Sequence, residues 1–262
     1  MQINYNEVID LVQGVRRLIL DREQAAHITV KGRADFATQV DFAVQRQLRQ
    51  ALSRRWPEVQ FLGEEGEKHR LDWTKPVWIL DPVDGTTNLI HDYRASCVSL
   101  GLWDGEQMGF GCVYNPYTEE MFSAVRGQGA VCNGAGISVS RRATLGESLF
   151  MIGTSPYRKE RAQRVFDLAR RLFLAGEDIR RSGSAALDLC AVACGRADGF
   201  FEFDLKPWDY AAASVILEEA GGTFTDIKGN APVPGENLDV AASNGTIHRA
   251  LLDLLGEREE II

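Results

Sequence analysis

The segment Val77-Trp78-Ile79-Leu80-Asp81-Pro82-Val83-Asp84-Gly85-Thr86-Thr87-Asn88 carries more information than any other part of this chain. An apolar strand ends at Asp81, and Pro82 keeps Asp81 extended, because the residue before proline is pushed out of the helical region. The turn returns a second carboxylate at Asp84, followed by Gly85 with its backbone freedom. Two hydroxyl residues suited to starting a helix come next. Carboxylates at a strand end suit hard divalent cations, and the free N–H groups of a helix start suit phosphate oxygens. An acidic turn is the plainer alternative, since Asp-Pro and Asp-Gly pairs are common in turns.

Strand-like runs surround this segment at Val59–Leu62, Val77–Leu80, Ser96–Trp103, Met108–Tyr114 and Glu119–Ala124. Gly105, Asn115-Pro116 and Gly127 punctuate them, which predicts an antiparallel meander. Upstream, Val8, Leu11, Val12, Val15, Leu18 and Ile19 recur at helical spacing. A second helix is expected from about Val40 to Arg55, with Phe42, Leu48, Ala51 and Leu52 on its inner side. Downstream, strands at Ser148–Ile152, Gly199–Phe203, Gly222–Asp226 and Leu238–Ser243 alternate with helices at Arg158–Leu174, Ser184–Cys194 and Trp208–Ala220. Such alternation implies helices layered on sheets. Two α/β lobes are expected, residues 1–142 and 143–262, joined without a flexible linker near Arg141–Glu147.

Further acids lie where a site could use them. Glu64 and Glu65 follow the Val59–Leu62 run, and Asp209 opens a helix after Pro207-Trp208. Asp209 could equally complement the helix dipole. Asp41 closes Thr38-Gln39-Val40-Asp41, which reads as a capping box. Glu202 is either a solvated strand-end acid or an acceptor for vicinal hydroxyls.

The 262-residue chain has a formal net charge of -8, with 45% hydrophobic and 25% charged residues. This is the composition of a soluble globular protein, and direct nucleic-acid binding is not expected of it. No apolar stretch is long enough to span a bilayer. The first residues show no basic segment followed by an apolar run, so a cytoplasmic location is expected. The five cysteines, Cys97, Cys112, Cys132, Cys190 and Cys194, have no zinc-like spacing and read as reduced, structural residues. His27, His69, His91 and His248 are scattered and read as surface or packing residues.

Taken together, Gly63-Glu64-Glu65, Trp78 to Asn88 and Trp208 to Gly222 resemble, in order, three motifs of the inositol monophosphatase family. Arg180-Arg181-Ser182-Gly183-Ser184-Ala185-Ala186 and Asp198-Gly199-Phe200-Phe201-Glu202 match its bacterial branch. The resemblance implies a layered α/β/α/β/α sandwich, assembled as a homodimer. It also implies two or three magnesium ions per site and sensitivity to lithium. By that resemblance Glu64, Asp81 and the Val83 carbonyl hold one magnesium, and Asp81, Asp84 and Asp209 a second. A weaker third rests on Glu64. Water is the implied nucleophile, oriented and deprotonated by Thr86 and Asp41. The backbone N–H groups of Gly85 and Thr86 receive the phosphate. Asp84, Gly183, Ser184, Ala185 and Glu202 face the small phosphorylated polyol or sugar, with Arg180 as a further candidate. Arg180 could equally form an ion pair between subunits.

Two departures from the family pattern stand out. Gly66 replaces a serine, and Arg94 occupies the place of a proline in Asn88-Leu89-Ile90-His91-Asp92-Tyr93-Arg94. The second alters the rim of the pocket and with it the choice of substrate. Relatives hydrolyse fructose 1,6-bisphosphate, histidinol phosphate or nucleotide 3′-phosphates on similar centres. Thr87, where the histidinol and nucleotide types more often carry lysine, favours the inositol type. A different class of function, protein binding as a regulator of transcription complexes, is also found among bacterial members.

Overall fold

The computed structural model of the protein describes residues 3–66 and 70–256; His69 lies outside them. The described residues build two large β-sheets with helices on both faces of each, beside a two-stranded hairpin. The seven-stranded sheet has the order Gln60–Gly63, Val77–Asp84, Cys97–Trp103, Met108–Asn115, Glu120–Val125, Ala130–Cys132, Ala135–Ile137. The five-stranded sheet has the order Asp178–Arg180, Leu149–Ile152, Gly199–Leu205, Leu238–Ser243, Thr223–Asp226. From Val77 to Val125 the strands form the expected antiparallel meander, but Gln60–Gly63 pairs parallel with Val77–Leu80. A parallel neighbour needs a crossover, which residues 64–76 supply.

The layers follow from which faces are apolar. Helices Tyr5–Gln13 and Gln39–Arg55 cover one face of the larger sheet, burying Val8, Val12, Val44, Leu48 and Leu52 with Trp78, Leu80 and Phe110. Helices Ala185–Ala193 and Pro207–Glu219 fill the space between the sheets. Helices Ala162–Ala175 and His248–Gly256 close the outer face of the smaller one. The result is an α/β/α/β/α sandwich. Strand Gly199–Leu205 shows the alternation that permits it: Phe200 joins the central core, while Phe201 and Phe203 join the outer one.

Several local expectations need correction. The opening helix breaks at Gly14, whose N–H caps Asp10, and resumes as Arg16–Ile19. Phe42 faces outward, 41% exposed, whereas Asp41, Val44, Gln45, Leu48 and Leu52 are inside. A hairpin of Ile28–Gly32 and Asp35–Thr38, the strand Asp178–Arg180 and the final helix His248–Gly256 had no expectation in the sequence. All five cysteines are free thiols. His248 is a packing residue, its ring nitrogens each 3.0 Å from the hydroxyls of Ser243 and Thr225.

Where helix Pro207–Glu219 crosses the larger sheet, side chains must be absent. A Cβ on Gly111 would lie 2.2 Å from the Ala212 carbonyl oxygen and 2.8 Å from a Val215 methyl. The obstructing atom is backbone, so helix and sheet must separate. Gly111→Ala is expected to lower stability by ~1–3 kcal/mol, seen as a lower urea midpoint in equilibrium unfolding.

Candidate active site

The carboxylates converge where the sheets' helices meet. Strand Val77–Asp84 is buried along its whole length, and its pairing with Cys97–Trp103 bulges between Asp81 and Asp84. The bulge re-aims the two acids. Asp81 Oδ1 accepts the Val83 N–H at 2.9 Å. Asp84 Oδ2 accepts the Ser184 hydroxyl at 2.6 Å and the Ala186 N–H at 2.7 Å, at the start of helix Ala185–Ala193. That helix end favours negative charge, and Ser184 also caps it through the Leu187 N–H. Gly85 has φ of 92°, the left-handed conformation from which helix Thr86–Ile90 begins.

Asp41 serves two neighbours at once. Its Oδ2 accepts the Thr38 N–H at 2.8 Å and hydroxyl at 2.6 Å, which is the capping box, while its Oδ1 lies 3.1 Å from the Thr86 hydroxyl. Glu64 is fixed by its own N–H on the Leu80 carbonyl at 3.1 Å. Gln45 clamps the neighbouring Glu65 backbone on both sides. Lys31, on the hairpin, lies 2.8 Å from both Glu64 and Glu65. Asp209 Oδ2 accepts the Lys206 N–H at 2.7 Å, so Asp209 does serve its helix start.

These acids repel one another. Burial raises Asp81 well above the usual carboxylate range, and the charges of Glu64, Asp84, Asp209 and Asp41 add to it. Burial pushes Asp84 up to about 6 against its bonds from Ser184 and Ala186. Asp209 is raised by burial and by Asp84, and Glu64 by burial despite Lys31. Buried like charges of this kind call for a cation.

One cavity gathers most of the expected residues: Glu64, Asp84, Gly85, Thr86, Gly183, Ala185, Glu202 and Asp209 line it. Asp41, Asp81, Val83 and Ser184 stand behind, bonded to one another or to lining residues. Glu202 Oε1 accepts the Ser155 N–H at 2.9 Å, and burial pushes its carboxyl up to about 7. Gly153 makes room for it, since a Cβ there would lie 1.9 Å from the Glu202 carboxyl carbon. Arg180 is not brought to the cavity. Its exposed guanidinium pairs with Asp178 and the Ile179 carbonyl, while Arg181 lines the wall. The sequence reading missed Arg181, Lys31, Tyr157 and Asp188. Of these only Asp188 carried a local signal, as the one acid in the apolar helix AALDLCAVA.

The inositol monophosphatase family model matches residues 4–260. This chain belongs to that family. It is 34% identical to the inositol monophosphatase of Dictyostelium discoideum over 256 residues, 95% of this chain and 94% of that one. It is 38% identical to the Nus factor SuhB of Xylella fastidiosa over 213 residues, 80% of this chain and 76% of that one. The crystal structure of the extragenic suppressor protein SuhB from Bartonella henselae superposes with a TM-score of 0.89 at 32% identity, covering 98% and 99% of the two chains. The family thus extends over the whole sandwich, and among the described residues no helix is long and apolar enough to cross a membrane.

Because Thr38 both caps helix Gln39–Arg55 and holds Asp41, its removal tests the support of the site separately from the site. Thr38→Ala is expected to cost about 0.5–2 kcal/mol, measured by chemical denaturation at neutral pH.

Proposed function

We propose that this protein is a magnesium-dependent phosphomonoesterase acting on inositol monophosphate or a similar polyol or sugar phosphate. One observation carries the proposal: Glu64, Asp84 and Asp209, the Gly85-Thr86 helix start and Glu202 share the walls of a single cavity. The donor set fits magnesium, which takes oxygen ligands and keeps several waters. Among the described residues no three acidic, cysteine or histidine side chains close into a ready-made metal cage, and an ion that retains its waters does not require one. Glu64, Asp81 and the Val83 carbonyl would hold one ion, Asp81, Asp84 and Asp209 another, and Glu64 would contribute to a third. Magnesium there supplies positive charge for the phosphoryl oxygens and acidifies water.

The chain's own groups have complementary tasks. The Thr86 hydroxyl lies 3.1 Å from both Asp41 Oδ1 and the Val83 carbonyl. With one proton to donate and two lone pairs, it can receive a hydrogen from the attacking water while donating to Asp41. Burial pushes Asp41 up to about 6, against its bonds from Thr38 and Thr86, which suits a general base near neutrality. The first-turn N–H groups of helix Thr86–Ile90 have no intrahelical partners and face phosphate oxygens. Glu202, held through one oxygen by Ser155, presents the other to vicinal hydroxyls. A homodimer is part of the reading, supported by the exposed apolar stripe of Phe166, Phe173 and Leu174 on helix Ala162–Ala175.

The relatives that bear the name Nus factor support a second reading, a protein-binding role in transcription complexes. The two roles separate experimentally. Purified protein is expected to release phosphate from inositol 1-phosphate only with magnesium, and Asp84→Asn to lose at least about 100-fold. Silence on every phosphate ester, together with binding to transcription proteins that survives Asp84→Asn, would replace the enzymatic reading with the second.

The pH profile tests the base. Asp41 works only when ionised, so kcat/KM should fall as pH drops through its pKa. Bound cations favour the ionised form, which places that limb at or below about 6. Asp41→Asn should lower activity by about 100-fold or more and leave no such limb.

A further inference from the structure

Glu64 stands one residue past the end of the edge strand Gln60–Gly63. Its N–H reaches the Leu80 carbonyl at 3.1 Å, which fixes the peptide plane between Gly63 and Glu64. The next plane, between Glu64 and Glu65, is held from outside the sheet. Gln45 Oε1 accepts the Glu65 N–H at 3.0 Å, and Gln45 Nε2 donates to the Glu65 carbonyl at 2.6 Å. A primary amide offers both partners at once.

The surroundings are shaped for that amide. Gln45 is 9% exposed on helix Gln39–Arg55, and it reaches 20 residues along the chain to make both bonds. Glycine at position 63 leaves the amide its room, since a Cβ there would lie 2.2 Å from Gln45 Oε1 and 2.6 Å from its Cδ. One turn earlier on the same helix, Asp41 Oδ1 lies 3.1 Å from the Thr86 hydroxyl. One helical turn therefore serves both the Thr86 side of the centre and the Glu64 side.

We infer that Gln45 is a positioning residue: by fixing the peptide between Glu64 and Glu65, it aims the Glu64 carboxylate at the metal position. The inference rests on the phosphatase reading above, in which Glu64 holds magnesium. Only φ and ψ of Glu64 separate the two fixed planes, so its Cα–Cβ bond has one direction. With the amide removed, one plane is free and that direction is no longer set. The carboxylate must then be ordered as the ion binds, which weakens binding. The oxygen of the amide carries this effect. Its nitrogen acts one peptide later, between Glu65 and Gly66, where it steadies the turn rather than Glu64.

The test is a double-mutant cycle on Gln45→Leu and Glu64→Ala, with thermal melting of each protein. Manganese(II) binding is read from the electron paramagnetic resonance of the free ion. Glu64→Ala identifies the binding step that belongs to Glu64, as the step it weakens. Gln45→Leu should weaken that same step by about 10- to 100-fold. In the double variant the step should differ from that of Glu64→Ala by no more than about 2-fold. Gln45→Glu keeps the acceptor for the Glu65 N–H and should stay within about 10-fold of wild type. It decides the matter if Gln45→Leu does not fold. Manganese binding unchanged in Gln45→Leu, whatever its melting temperature, would make Gln45 a packing residue and overturn the inference. So would losses that multiply in the double variant, a Glu64→Ala protein that weakens no step, or a Gln45→Glu protein as weak as Glu64→Ala. Phosphate release from inositol 1-phosphate with magnesium is measured on wild type beside these. Wild type that binds manganese but cleaves no ester fails the phosphatase reading, and the cycle still decides for or against Gln45. Wild type that binds no manganese fails both.

Discussion

Mutual repulsion among buried carboxylates is the constraint around which this structure is organised. Asp81 is raised by burial and by four neighbouring acids, so none of these groups would stay in place unless the scaffold held it. The scaffold grips at least one oxygen of Asp81, Asp84, Asp209, Asp41 and Glu202. Val83 N–H takes Asp81 Oδ1, Ser184 and Ala186 take Asp84 Oδ2, and Lys206 N–H takes Asp209 Oδ2. Thr38 takes Asp41 Oδ2, and Ser155 takes Glu202 Oε1. All five of these anchors include a backbone N–H, and such groups cannot rotate away. Supporting bonds of this kind fix a ligand's direction while leaving its second oxygen for the site.

The anchors also explain why the site requires the whole sandwich. Asp84 belongs to the seven-stranded sheet, yet its two partners lie 100 and 102 residues later on a helix packed between the sheets. Asn88 donates to the Ala95 and Ser182 carbonyls and so ties the start of helix Thr86–Ile90 to that same later segment. Close approach is obtained by omitting side chains at Gly111 and Gly153. A change in how helices Ala185–Ala193 and Pro207–Glu219 sit on the larger sheet therefore reaches the carboxylates directly.

How much of this could be read from sequence depended on whether the information was local. The Asp81-to-Asn88 turn was legible because strand, proline, glycine and helix start follow one another within the segment. The acids around Glu64 and Asp209 were legible as strand-end and helix-start residues. Phe42 was misplaced for a physical reason. The inner face of helix Gln39–Arg55 carries the polar Asp41 and Gln45, one serving the site and one clamping Glu65, so the apolar period is broken where it matters. Lys31 and Arg181 were invisible because only tertiary folding brings a hairpin lysine to Glu64 or selects Arg181 over Arg180. The parallel pairing of Gln60–Gly63 was hidden by a crossover that, among its described residues, carries no helix or strand.

The two ends of the cavity differ in how they are encoded, and this bears on the divergence of relatives. The acidic end comes from one contiguous motif, Asp81 to Asn88, whose geometry is set by its own proline and glycine, with Glu64 and Asp209 added from other elements. The opposite end is assembled from Gly153, Arg181, Asp188 and Glu202, which lie on four separate segments of the C-terminal half: the loops after strands Leu149–Ile152 and Asp178–Arg180, helix Ala185–Ala193 and strand Gly199–Leu205. A substitution in the motif disturbs charge balance at the centre and affects every substrate. A substitution in the far wall exchanges one hydrogen-bond partner and leaves the centre intact. Relatives can therefore share the same acidic centre while differing in what they admit, and the family match alone does not determine the leaving group.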